Sequence, residues 1–290
     1  MDSIWTDKTE LPRFERLKQD AETDVLIIGG GITGLLCAFL LGQAGVDYVL
    51  TEASTICSGV TKNTTAKLTI QHGLIFDSML RRFGAERTQM YLQANQEALA
   101  HYRTLSTGID CGWEEKDNFV YSLDDRKKLE REVRVLERLG VPAEFQRELP
   151  LPFPVVGAVR VPKQAQFHPL RFLASIARGL RIFEHTPVRE LNEHSAVTDG
   201  GTITARKIIV ATHFPFLNKH GSYFLKQYQH RSYVLALKNG PDVHGMYVDE
   251  GEGGMSFRNY GELLLLGGGA HRTGKKGGGW REVERAAHLK

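Results

Sequence analysis

Cysteine is scarce in this chain of 290 residues: Cys37, Cys57 and Cys111 lie far apart and form no Cys-x-x-Cys pair. That spacing excludes a disulfide framework and a cysteine-built metal site, so no metal is expected, and it suits a reducing, cytoplasmic setting. An excess of one charge is missing too. The 37 lysines and arginines stand against 34 aspartates and glutamates, and the net charge of +3 is not the basic surplus of a nucleic-acid-binding domain. With 41% apolar and 24% charged residues, the chain has neither a long disordered tail nor a collagen-like period. It also shows no convincing Ser-His-Asp arrangement for nucleophilic catalysis. What it has in excess is glycine, thirty residues of it, in a length that suits about two domains.

Residues 25–46 carry no charge, a run long enough to cross a bilayer, with a Gly30-x-x-x-Gly34 pair of the kind that joins membrane helices. Gly29, Gly30 and Gly31 argue against one helix, because each costs about 1 kcal/mol in a helix interior. The leader before them contains Asp2, Asp7, Glu10, Glu15 and Asp20, which is not the positive start of a secretory signal. The run therefore reads as a strand, a turn and a helix, with no membrane span.

Asp24-Val-Leu-Ile-Ile is a β-branched strand suited to burial on both faces of a parallel sheet. Gly29, Gly31 and Gly34 follow in G-x-G-x-x-G spacing, and Ile32 and Thr33 open a helix over residues 32–41. In such a motif the first glycine makes the tight turn, the second lets backbone approach a pyrophosphate, and the third lets helix and strand pack closely. The helix N-terminus offers free N–H groups to phosphates. A second strand ends at Glu52, whose carboxylate is placed to accept from ribose hydroxyls and to repel the extra phosphate of NADP. A tight strand-to-helix turn with no ligand is the plainer alternative.

Beyond Glu52 a simple NAD domain would proceed to its next crossover helix. Here a hydroxyl-rich loop of small residues leads into a polar extended segment. The run 24–52, the Thr64-Thr65-Ala66-Lys67-Leu68-Thr69-x-Gln71-His72 segment and the later Ala211-Thr212-His213-Phe214-Pro215 resemble the FAD-dependent oxidoreductases of the D-amino-acid oxidase and glycine oxidase superfamily. The resemblance is nearest to a bacterial branch that often carries a C-terminal Rieske domain, and it extends to the leader ending near Leu17 and to Ala165-Gln166-Phe167-His168-Pro169.

That resemblance implies an α/β fold: a Rossmann-like FAD-binding domain with a central parallel sheet, and an α+β substrate domain with an antiparallel sheet. Residues 1–22 would form an arm, 23–80, 160–220 and 265–290 a discontinuous FAD domain, and 81–159 and 221–264 the substrate domain. The ADP half of FAD would lie on Gly29 to Gly34, Glu52 and Ala53. Thr61, Thr64, Thr65 and Ala66 would follow the pyrophosphate and flavin, with Lys67 where related oxidases tend to have glycine. Val188 would touch the adenine, and the turn at Ala211, Thr212 and His213 would close over the cofactor. The chain has no Cys-x-His and Cys-x-x-His pair for a Rieske cluster and lacks the family's last glycine-rich return. A shortened member that holds flavin loosely is the expectation.

The rest reads more plainly. Apolar residues between 79 and 105 follow helical spacing, Ser122 to Asp125 caps a charged helix, and His168-Pro169 opens another. Asp199-Gly200 marks a hairpin, and 207–212 reads as another buried strand. Short runs from 232 to 266 suggest an antiparallel meander. Gly267 to Gly269 and Gly274 to Gly279 read as a flexible loop or linker. The substrate-side candidates are His72, Arg231, Tyr233, Arg258 and His271, since an arginine fork pairs with a carboxylate; for each, an ordinary loop or strand-edge role is the alternative. The implied reaction removes a hydride from the carbon beside an amine or amino-acid nitrogen to flavin N5, leaving an imine that water hydrolyses, with oxygen or a redox carrier as acceptor. A catalytically weak remnant and an NAD-binding dehydrogenase are the rival readings.

Overall fold

The β-branched run that ends in the triple glycine becomes the central strand of one of two units in the computed structural model of the chain. The structure describes residues 3–216, 222–251, 254–275, 279, 281, 283 and 284. In chain order the elements begin with β1 (Ala21–Ile28), α1 (Ile32–Gln43), β2 (Tyr48–Thr51), β3 (Lys67–Leu68), α2 (Phe76–Ser106), β4 (Glu114–Ser122) and α3 (Arg126–Arg138). They continue with β5 (Glu144–Gln146), β6 (Gly157–Gln166), α4 (Pro169–Ile176), β7 (Ile182–Phe183), β8 (Val188–Leu191), β9 (Ser195–Thr198) and β10 (Gly201–Val210). The last are α5 (Tyr223–Lys226), β11 (His230–Lys238), β12 (Met246–Asp249), β13 (Ser256–Tyr260) and β14 (Leu263–Arg272). No described helix is long and apolar enough to cross a membrane, and the uncharged run 25–46 divides between β1, a turn, α1 and the approach to β2.

The first unit comprises Met1–Thr64, Gly108–Cys111 and His168–Tyr228. Its sheet has the order β7-β2-β1-β10-β9-β8. The β1 strand pairs in parallel with β2 and β10, and β2 with β7, while β8, β9 and β10 are antiparallel neighbours. Leu26, Ile27 and Ile28 are buried, as a strand covered on both faces requires. Leu26, Ile28, Val49, Ala196, Ile203 and Ala205 share a core with Leu17 of the N-terminal arm. Each of the leucine, isoleucine and valine side chains stabilises the fold by about 1.5–3 kcal/mol relative to exposure, and the alanines by less. His168 caps α4, its Nδ1 accepting from Arg171 N at 3.2 Å, with proline in the first turn.

The expected burial of 207–212 is corrected here. Ile208 and Ile209 are only half-buried and Val210 is 42% exposed. The physical reason is strand length: β9 pairs with β10 only over Gly201 to Thr204, so beyond that stretch β10 has β1 on one side alone.

The second unit comprises Thr65–Thr107, Gly112–Phe167 and Gln229–Lys290. Its sheet runs β11-β14-β13-β12-β4-β6-β3, with β5 also paired to β6. Phe76 and Leu92 of α2 and Leu129, Val133 and Leu136 of α3 pack with Val159 and Val161 of β6. Asp125 caps α3 by accepting from Lys128 N at 2.9 Å. The buried Glu132 of α3 accepts from Phe76 N and Asp77 N, satisfying the first turn of α2; burial raises its pKa. A second cluster joins Phe119, Tyr121, Tyr247, Phe257, Leu264 and Leu266, with Phe119 stacked on Tyr247 at 4.6 Å.

Two expectations change in this unit. The run 232–266 is not one meander: β12, β13 and β14 follow one another, but β11 lies outside β14, and β12 pairs in parallel with β4. Gly267, Gly268 and Gly269 are not a loop but part of β14. A Cβ on Gly267 would stand 2.5 Å from Ser256 Oγ, so the glycines let neighbouring side chains close over the strand. Residues 265–272 group with this unit rather than the first, because β14 lies between β11 and β13. Of the stretch 274–279, positions 276–278 lie outside the described residues.

Candidate functional site

The turn that leaves β1 shows why each of its glycines is needed. Gly29 has φ +112°, and a Cβ there would stand 2.7 Å from the carbonyl oxygen of Ala211. At Gly34 a Cβ would fall 1.9 Å from the oxygen of Gly29, so α1 can lie against the turn only with glycine in that place. On Gly31 a Cβ would meet Thr61 Oγ1 at 3.2 Å. Gly31 is also the N-cap of α1 and brings no side-chain cap; the amide of Ile32 donates to Thr61 Oγ1 at 3.0 Å instead. Bare backbone, a helix N-terminus and a hydroxyl thus meet at one point, which is the chemistry a pyrophosphate requires.

Glu52 follows β2 and faces the same turn. Its Oε2 accepts from Gly30 N at 2.7 Å and its Oε1 from Ser54 N at 2.8 Å. The carboxylate therefore first holds the glycine turn. Having about four acceptor sites, it retains two for sugar hydroxyls. The Ala211 carbonyl packs on Gly29, and the Thr212 hydroxyl donates to Phe214 O at 2.9 Å, shaping the turn through His213, whose φ is +63°. Ala53, Thr33 and His213 are exposed; Val188 is half-buried opposite Thr198. The structure therefore brings together Gly29 to Gly34, Glu52, Thr61 and the Ala211–Thr212 turn. These residues fit the diphosphate and ribose of a dinucleotide such as FAD.

Sequence reasoning missed two residues of this unit. Glu184 is buried, its Oε1 accepting from Ile56 N at 2.6 Å and its Oε2 from Phe14 N at 3.0 Å, so it ties the arm to the loop that follows Glu52. Trp5 is 1% exposed and donates from Nε1 to Thr64 O at 2.7 Å. Neither belongs to a spaced motif, and only the presence of a tryptophan in an otherwise polar leader gave a signal. A cavity of about 810 Å³ opens between arm residues 9–14 and Thr55, Ile56, Glu184 and His185.

In the second unit Thr65 is half-buried, and Ala66 is buried with φ +52°. Lys67 starts β3 opposite Gln166, and its ammonium, enclosed although part of the residue is accessible, donates to Tyr247 O at 3.3 Å. Burial, and then the charge of Arg258, push its pKa down to about 7. Arg258 is fully buried on β13, and Nη2 reaches Phe167 O at 3.4 Å; burial pushes its pKa down to about 10 against the pull of Glu114 and Tyr260. Arg231 faces His271 across β11 and β14, and the rings of Tyr233 and His271 stack at 5.9 Å. Those three share one end of the sheet. Arg258 does not join them, because it is in register with Leu265, further back along β14. His72 is exposed, with Nε2 3.2 Å from Asn95 Oδ1 on α2.

Comparison with known proteins fits this geometry. The family described as DAO, FAD dependent oxidoreductase, matches residues 24–289. A Bacillus subtilis protein, YhfW, named for a Rieske 2Fe-2S iron–sulfur centre, is 35% identical over 94% of this chain and 57% of its own length. The gamma-glutamylputrescine oxidoreductase of Escherichia coli is 26% identical over 68% of the chain and 50% of its own. The chain thus spans about half the length of these relatives. Among solved structures, glycine oxidase from Geobacillus kaustophilus has the same fold, with a TM-score of 0.72 and 21% identity over 92% of this chain and 78% of that one. The chain belongs to the DAO family of FAD-dependent oxidoreductases.

Proposed function

We propose that the first unit holds FAD by its ADP half and that the protein oxidises the C–N bond of a small amine or amino acid. The observation that carries the reading is the cradle itself: a Gly34 that tolerates no Cβ, a helix N-terminus shared with Thr61, and a Glu52 with acceptor capacity to spare. Bound flavin would supply the two-electron acceptor, and the protein would supply orientation and charge. On the substrate side, Arg231 with the stacked Tyr233 and His271 offers a carboxylate-binding end of the sheet. Support for amines and amino acids comes from what the gamma-glutamylputrescine oxidoreductase and glycine oxidase are named for.

The test is spectroscopic. The purified protein is supplied with FAD, its visible spectrum recorded, and the oxidised cofactor bleached anaerobically with a panel of amino acids and amines. Saturable FAD uptake followed by bleaching with members of either class is expected. Uptake without bleaching by any of them would refute the substrate class, and no uptake would refute the cofactor assignment. The rate of reoxidation in air then separates oxygen from a protein or small-molecule carrier as electron acceptor.

A further inference from the structure

We propose that Trp5 in the N-terminal arm is a positioning residue for the cofactor-binding loop, acting through the carbonyl of Thr64 on the turn that meets the N-terminus of α1. The inference rests on the FAD reading above and names a residue outside the fingerprint that governs how well the cofactor is held.

The arm is already fastened without Trp5. Phe14 N donates to Glu184 Oε2, Leu17 N donates to Thr186 Oγ1 at 3.1 Å, and Leu17 is 2% exposed in the core of the sheet. The stretch before these ties nonetheless places a tryptophan in full burial. Its indole meets the imidazole of His168 edge to face, centroids 5.0 Å apart, and His168 is itself fixed as the cap of α4 and by donating its own amide to Cys111 O at 2.7 Å. One edge of the indole is thus braced by α4, and its N–H points to Thr64 O at 2.7 Å. Thr64 closes the 3₁₀ turn Val60–Asn63, and Thr61 in that turn accepts the Ile32 amide at 3.0 Å. A continuous path therefore runs from α4 through the indole and the turn to the first amide of α1. Because a carbonyl takes part, no side-chain exchange at Thr64 removes the contact; only the donor can be deleted. Tryptophan alone among the large apolar side chains brings both the flat body and a donor without an acceptor.

Trp5→Phe keeps the ring contact with His168 and deletes the donor. Leu17→Ala is the comparison, loosening the arm at a site that does not touch the turn. Two readouts are taken on flavin-free protein: the Kd for FAD by quenching of flavin fluorescence, and amide hydrogen exchange at Ile32, which needs no cofactor. Thermal melting is recorded for each variant. Loss of one net hydrogen bond predicts FAD binding weaker by roughly fivefold in W5F, with Ile32 exchange faster by about the same factor. L17A is expected to melt at lower temperature than W5F while holding FAD within about twofold of the wild type. The proposal is overturned if W5F keeps both the wild-type Kd and the wild-type Ile32 exchange, or if L17A loses affinity as W5F does, since that would make arm stability the sole cause. A wild-type protein that takes up no FAD at all would instead strike the cofactor reading, and this one with it.

Discussion

The glycine turn of the first unit and the polar strand ends of the second differ in what fixes them. In the turn, backbone atoms meet backbone atoms: Gly34 against the Gly29 carbonyl, Gly29 against the Ala211 carbonyl. Side-chain identity matters there mainly by being absent, and the constraint is short-range. At the strand ends, Arg231, Tyr233 and His271 owe their meeting to the register between β11 and β14, with a bulge between Arg231 and Tyr233. A cofactor common to a whole family can be held by the first kind of site. Choice of substrate requires the second, where one residue of slippage exchanges the faces.

The comparison is most severely tested by Gly34→Ala. With a Cβ placed 1.9 Å from a backbone oxygen, α1 must move, and we expect a loss of more than about 3 kcal/mol in urea unfolding together with FAD uptake. Gly59→Ala, where no atom lies within 4 Å of the added carbon, should cost only about 1 kcal/mol or less. Equal losses would mean that glycine content, not close approach, governs the turn.

Lys67→Met tests the second unit through pH. The lysine keeps its ordinary value of 10.5 in the unfolded chain and falls to about 7 in the fold. Between those values the unfolded chain holds the extra proton, so the lysine's contribution to stability rises with pH across the window and is lost as pH falls. The methionine variant should therefore outlast the wild type by up to about 5 kcal/mol at and below pH 7, with the advantage fading toward pH 10.5. A difference independent of pH would show that the enclosed ammonium is not what the fold resists.

Smaller effects follow at Glu52 and Arg231. Glu52→Gln keeps the shape but replaces one charged acceptor, and a drop of about tenfold in FAD affinity is expected by titration. Arg231→Ala lies on an exposed strand end, so its unfolding free energy should stay within about 0.5 kcal/mol while KM for a carboxylate-bearing substrate rises and KM for a simple amine does not. Parallel rises for both substrates would remove Arg231 from carboxylate binding.

The same contrast governs what the sequence makes legible. The G-x-G-x-x-G turn, the Asp125 cap of α3 and the His168-Pro169 helix start were readable because each is decided within a few residues. The placing of β11 beside β14, the seating of Gly267 to Gly269 inside a strand and the half-exposed end of β10 were not, since each depends on which distant strand arrives as neighbour. Glu184 illustrates the limit. Nothing local distinguishes it from a surface glutamate, yet its two oxygens join the arm to the loop after Glu52.

The place of β1 between β2 and β10 also sets an order of events during synthesis. The β2 strand follows soon after the glycine turn, whereas β10 leaves the ribosome only after α2, α3 and β6 have been made. Until β10 is made, a nascent chain therefore carries the glycine turn without its Ala211 neighbour and beside a bare apolar strand edge, a condition that invites chaperones and premature pairing. Stalled chains ending before β10 should be cut readily by protease within β1, and chains extended past Phe216 should resist.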